Sequence, residues 1–279
     1  MARRTFTHVP LHSRGRTMTV AQLGELEMFY ESQGEGQPLV LIQGYTCSHR
    51  FWDQMAPDLA KRFRVIRFDN RGIGFTRDDG RSFSLDTMAA DTAALIEHLR
   101  LVEPILVGHS MGGMIVQTLL EQRPHVCGKC VILNSTRSFS RQATMLLESL
   151  LALRQADVDF DFLVDATLRL LSGLSWLTVP SNIDSFKTAL KCDPAAQSLA
   201  DQARQLQALK TFDATSYDTQ PRHPVLVVSS TEDLLTPVAD GRQLAQALNA
   251  HLEEIRTGHP SVLEAHETLA RLIVNFLAA

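Results

Sequence analysis

The sequence predicts an α/β fold: a mostly parallel central sheet with helices on both faces and one inserted helical segment. Short continuous apolar runs, PLVLI, FRVIRF, PILVG, CVILN and PVLVV, recur along the chain as strands buried on both faces would. Segments of helical spacing lie between them, and strand–helix alternation implies βαβ units with right-handed crossovers, hence parallel strands. The rhythm breaks once, between 137 and 220, where no buried strand is legible.

In chain order, the start carries Arg3, Arg4, Arg14 and Arg16 with no acid before Glu25 and lacks apolar periodicity, so residues 1–21 read as a loose N-terminal arm. GELEMFYES alternates as a half-buried strand does, GEGQP turns, and PLVLIQG and FRVIRFD are buried strands. The stretch Leu85 to Arg100 has helical spacing, EPILVGHS is the next buried strand, MGGMIVQTLLEQRP is a helix and CVILNS a strand. Three helices are expected in the insertion, Arg141 to Gln155, Phe160 to Leu171 and Ala195 to Leu209, with loops at Gly173, Pro180 and Pro194. PVLVVSS then resumes the sheet, a helix runs from Val238 to Leu248, HLEEIRT is a short last strand, and an amphipathic helix runs from Ser261 to Leu277. The expected organisation is a core of residues 22–136 and 221–279 around an insertion at 137–220.

Composition narrows the function classes. At 279 residues, 44% apolar and 21% charged, the chain is an ordinary globular protein. The balance of 27 Lys+Arg against 31 Asp+Glu leaves −4, too mild for bulk charge to attract nucleic acid or anionic membrane. Cys47, Cys127, Cys130 and Cys192 make no disulfide framework, no secretory h-region follows the start, and no apolar run nears the ~20 residues of a membrane span. A soluble, cytoplasmic protein is expected, recognising a small molecule through a site, without nucleic acid or membrane as partner.

The sharpest local feature is Gly108-His109-Ser110-Met111-Gly112, between a buried strand and an apolar helix. A serine at so tight a strand-to-helix turn needs a strained backbone and small neighbours two positions either side. The turn lifts the hydroxyl out at the carboxyl end of the sheet, with the Met111 N–H facing the same space at a helix N-terminus. A serine hydroxyl is a weak nucleophile and needs a base and a group to orient the base. His259, in the loop Thr257-Gly258-His259-Pro260 after the last strand, is the candidate base, with His266 as rival. Asp233, just beyond PVLVVSS, is the candidate acid, with Glu232 as rival. The order Ser110, Asp233, His259 distinguishes this sheet architecture from other serine-triad folds. Cys127-Gly128-Lys129-Cys130 lacks a second pair at zinc spacing and reads as structural. Asp157, Asp159 and Asp161 read as a solvated helix start.

Over about residues 22–279 the chain resembles the α/β-hydrolase fold superfamily, in its esterase, lactonase and peroxidase-like branch with a single helical cap. Leu41-Ile42-Gln43-Gly44-Tyr45 resembles the oxyanion loop, and Asp69-Asn70-Arg71-Gly72-Ile73-Gly74 the D-x-R-G-x-G turn. Asp233 to Pro237 matches D-x-x-x-P, and Gly258-His259 with Glu264 matches the terminal G-H…E pattern. The resemblance implies that the backbone N–H groups of Tyr45 and Met111 form the oxyanion hole and that 137–220 is a cap over the pocket. Gln43 departs from the family's usual His, which implies altered support for that loop. Candidates for lining an acyl pocket are Tyr45, Trp52 and Trp176, with Phe51, Phe75 and Phe139. The implied activity is hydrolysis of a small carboxylic ester through an acyl-enzyme at Ser110, with no metal or organic cofactor. The same triad serves thioesterases, lactonases and carbon–carbon hydrolases, and a receptor-like ligand-binding protein of this fold is the alternative from another class.

Overall fold

The computed structural model describes residues 16–194 and 196–278. The chain enters the sheet through β1 (Arg16–Leu23) and β2 (Leu26–Gln33), an antiparallel hairpin in register Leu23 to Leu26. Gly24, at φ +66°, makes the two-residue turn that this register requires. Residues 16–21, expected in the arm, are therefore an edge strand: Ala21 is fully buried while Val20 is 44% exposed, the alternation of a strand with one covered face. Residues 1–15 lie outside the described residues.

The sheet continues with β3 (Pro38–Ile42), the one-turn helix α1 (Ala56–Leu59), β4 (Arg64–Phe68), α2 (Leu85–His98), β5 (Ile105–His109), α3 (Met111–Gln122) and β6 (Cys130–Leu133). Five helices follow: α4 (Arg141–Gln155), α5 (Phe160–Leu171), α6 (Leu174–Leu177), α7 (Pro180–Lys191) and α8 (Leu199–Lys210). Then come β7 (Val225–Ser230), α9 (Val238–Ala247), β8 (His251–Ile255), α10 (Ser261–Glu264) and α11 (His266–Ala278). The strand order is β1-β2-β4-β3-β5-β6-β7-β8, antiparallel at β1–β2 and β2–β4 and parallel from β4 to β8.

Alternation within the buried strands builds two cores. Val40, Ile42, Ile66, Leu106, Ile132 and Val227 face α2, α3 and α9, and that core extends into the insertion through Leu147 and Leu151 of α4 and Leu206 and Leu209 of α8. Leu39, Leu41, Val65, Val107, Val131 and Val228 face Trp52, Leu59, Val262, Leu269 and Ile273 on the other side. Two insertion helices match expectation in their bounds, α4 and α5. The third begins at Leu199, where Ser198 caps its N-terminus; the expected start, Ala195, lies outside the described residues. α6 and α7 were not legible because neither contains a buried residue, so their apolar positions form no continuous stripe against a core. The final helix breaks at Ala265 (φ −146°), which separates α10 from α11.

Candidate active site

Loops from the carboxyl ends of β5, β7 and β8 meet at one point. Ser110 adopts φ 55°, ψ −117°, the strained conformation its turn demands. Its glycine neighbours are obligatory: a β-carbon at Gly108 would strike the Gly112 carbonyl, and one at Gly112 the Ile42 carbonyl. His259 Nε2 lies 2.9 Å from Ser110 Oγ, and His259 Nδ1 lies 2.8 Å from Asp233 Oδ2. An ionised carboxylate only accepts, so Nδ1 carries the proton and Nε2 is left as acceptor for the serine hydroxyl.

Asp233 is held on every side. Oδ1 accepts the N–H groups of Leu235 (2.8 Å) and Thr236 (2.9 Å), while Oδ2 also accepts from the Asn134 amide (2.9 Å) and the Thr236 hydroxyl (2.8 Å). Burial pushes this carboxyl up, but the charge and hydrogen bond of His259 with the Thr236 and Asn134 donors outweigh it and hold it below the ordinary aspartate value. Asn134 is itself fixed, at φ +47° and accepting the Ser261 hydroxyl at 2.6 Å. Neither Asn134 nor Ser261 was singled out from sequence, because their meeting depends on the end of β6 touching the start of α10. The rival acid Glu232 turns away to Arg256 Nε (2.7 Å) and the Leu174 N–H (2.7 Å), and the rival base His266 begins α11.

The loop after β3 closes against the serine, since a β-carbon at Gly44 would lie 3.1 Å from Ser110 Cβ. Among the described residues neither the Tyr45 N–H nor the Met111 N–H has a hydrogen-bond partner, so both are free to donate. Gln43 supports this loop from below: its Nε2 donates to the Phe68 carbonyl (2.8 Å), and its own carbonyl accepts from Asn70 Nδ2 (3.4 Å). The Tyr45 hydroxyl is buried beside Gln202 and Arg154 without a well-formed hydrogen bond, and burial pushes its pKa up to about 12 against the easing effect of those two neighbours. His109 Nε2 donates to the His259 carbonyl at 2.8 Å, bracing the base from the elbow itself.

The two tryptophans expected in the pocket have different surroundings. Trp52 is fully buried in the core beneath the sheet, among Leu39, Met55 and Leu59, because the loop after β3 turns it inward. Trp176 stacks edge-on with Phe186 and lines a cavity of about 250 Å³ with Glu232, Arg256 and Glu264, a lining that excludes Ser110 and Tyr45. Phe51 packs on His109 at 4.8 Å, and Phe75 is 41% exposed beside Phe29. Cys127 and Cys130 are buried free thiols just before and at the amino end of β6, the end of the strand away from Ser110. Asp159 caps α5 by accepting the Phe162 N–H. No group of three or more His, Cys, Asp and Glu side chains among the described residues is placed to hold a metal ion, and no described helix is long and apolar enough to cross a membrane.

Fold and relatives together mark an enzyme of the hydrolase class. Residues 37–265 match the family described as alpha/beta hydrolase fold. A Mycobacterium tuberculosis protein named non-heme bromoperoxidase BpoC is 31% identical over 91% of this chain and 98% of its own; its crystal structure superposes with a TM-score of 0.81 over 96% and 98% of the two chains. A pyrrolizixenacetamide deacetylase from Xenorhabdus hominickii is 26% identical over 93% of this chain and 98% of its own. An enol-lactonase from Burkholderia xenovorans shares the fold at a TM-score of 0.82 and 22% identity, over 93% of this chain and 100% of its own. The chain belongs to the alpha/beta hydrolase fold family.

Proposed function

We propose that the protein is a serine hydrolase that cleaves a small carboxylic ester through an acyl-enzyme at Ser110, with α4 to α8 as a cap over the site. The observation that carries this reading is the unbroken chain Ser110 Oγ, His259, Asp233, at 2.9 and 2.8 Å, beside two unengaged backbone N–H groups. Ser110 Oγ attacks the ester carbonyl carbon as His259 Nε2 takes its proton. The N–H groups of Tyr45 and Met111 receive the oxyanion. His259 then returns the proton to the leaving alkoxide oxygen, and the alcohol departs. Water, deprotonated by the same nitrogen, attacks the acyl carbon and frees the acid and Ser110. Asp233 keeps the imidazole in the tautomer this sequence needs and stabilises its charged form. The deacetylase name of one relative supports acyl transfer as the chemistry.

The test is turnover of p-nitrophenyl esters of graded acyl length by the wild type and Ser110→Ala, with active sites titrated by a serine-directed phosphonate. Many turnovers per site, falling by about 10⁵–10⁶ in the variant, are expected. Absence of both labelling and turnover in the wild type would remove Ser110 as nucleophile; labelling of Ser110 without ester turnover would redirect the search to thioesters, lactones or a receptor ligand.

A further inference from the structure

The loop that carries the Tyr45 N–H is not held by the core alone. Thr46, the next residue, sits at φ +61°, a conformation a β-branched side chain adopts only when its surroundings enforce it. The enforcing group comes from the cap. Gln205 of α8 is fully buried, its Oε1 accepts the Thr46 N–H (3.3 Å), and its Nε2 donates to the Arg71 carbonyl (2.9 Å). One cap side chain thus ties the loop after β3 to the turn after β4. That turn in turn holds Gln43, through Asn70.

Ser110 and His259 are each only 6% exposed, and Gln205 joins α8 to the loop that closes against the serine. Resting on the serine-hydrolase reading above, we infer that Gln205 is a positioning residue for the oxyanion loop, so that the oxyanion hole is completed when the cap is seated and slackens when it lifts. An ester that fails to let the cap reseat is then bound without being turned over efficiently. The docking of α8 does not itself hang on this residue: Gln197 Nε2 donates to the Gly72 carbonyl (2.6 Å), and Arg204 bonds Asp78 (3.0 Å) and the Arg81 carbonyl (2.7 Å). Removing the Gln205 amide should therefore loosen the loop while leaving the cap in place.

The experiment compares wild type, Gln205→Met and Gln205→Glu. The first variant keeps the length and loses both hydrogen bonds; the second keeps an acceptor for the Thr46 N–H. Wild type must first label at Ser110 with the phosphonate and turn over a p-nitrophenyl ester. If it does neither, the serine-hydrolase reading falls and takes this inference with it. If it does both, Gln205→Met is expected to lose about tenfold in kcat with KM changed less than about twofold. Gln205→Glu should recover most of that loss, and amide hydrogen exchange should rise across residues 44–48 in the methionine variant alone. Should Gln205→Met fold poorly, Gln205→Asn, one methylene too short to bridge both loops, is read in the same way. Wild-type kcat in folded Gln205→Met, or equal damage in the methionine and glutamate variants without a change at 44–48, would overturn the inference while leaving the nucleophile assignment intact.

Discussion

Asp233 accepts hydrogen bonds from two backbone amides, a threonine hydroxyl, the Asn134 amide and the imidazole, so the oxygen facing His259 can only be an acceptor. Asp233→Asn would set an NH₂ group against donors from Asn134 and His259 and favour the imidazole tautomer with its proton on the wrong nitrogen. Turnover should fall by about 10⁴, the order seen when a triad aspartate becomes asparagine; ester kinetics on a variant whose melting curve remains cooperative checks it. Asn134→Leu removes one donor from Asp233 and leaves the buried Ser261 hydroxyl without its acceptor. The expected cost is about 1–3 kcal/mol by urea unfolding, with kcat lowered far less than in Asp233→Asn; unchanged stability would mean that the amide is dispensable. These two residues mark what sequence can convey at this scale. Ser110, His259 and Asp233 stand in short local patterns whose backbone demands can be read in place. Asn134 follows an apolar strand like many other polar residues, and only the packing of β6, β7 and α10 gives its side chain a purpose.

At the scale of elements, the strands that were legible are those buried on both faces, where a run such as LVLI or VLVV admits no other reading. β1 was missed because an edge strand needs only one apolar face and here follows an Arg-rich start. α6 and α7 were missed because they bury nothing. The junction between α5 and α6 nevertheless matters to the site. There the Leu171 carbonyl accepts the His259 N–H (2.7 Å), and the Glu264 carboxylate accepts the N–H groups of Gly173 and Gly258 (2.9 Å each), a strap between the α5–α6 junction and the histidine loop. The strap requires two glycines face to face, since a β-carbon on Gly258 would strike the Gly173 nitrogen and the Leu171 carbonyl. Gly258→Ala must force these backbones apart, at about 1–3 kcal/mol for overpacking, or roughly 2–5 °C in Tm for a chain of this size. His259 moves with its loop, so kcat should fall as well. Thermal melting and ester turnover on the same sample check both effects; a wild-type Tm would show that the junction can yield without strain.

For the whole molecule, buried ionisable groups near the site make stability depend on pH, with opposing signs. His109 is buried, and burial first, then repulsion from a charged His259, pushes its pKa from 6.5 down to about 3. Its Nδ1 has no hydrogen-bond partner among the described residues, so a second ring proton would find no acceptor. The unfolded chain takes up that proton near pH 6.5 and the native one only near 3. The stability this group confers is therefore complete above 6.5 and lost as pH falls through the window, by up to about 1.4 kcal/mol per unit. Glu264 acts the other way: burial raises its pKa, only partly offset by the Gly258 and Gly173 N–H groups, so its contribution is present at low pH and lost as pH rises through the raised value. Asp233, depressed, contributes above the ordinary aspartate value of about 3.9 and weakens only below it. Urea unfolding of wild type, His109→Gln and Glu264→Gln at pH 8, 7, 6 and 5 separates the two opposing groups. Wild type should lose stability relative to His109→Gln with each step below 6.5 and gain it relative to Glu264→Gln as pH falls through that group's raised value. Three parallel profiles would mean that neither group titrates differently on folding, and the acid sensitivity of the fold would then have to come from elsewhere in the molecule.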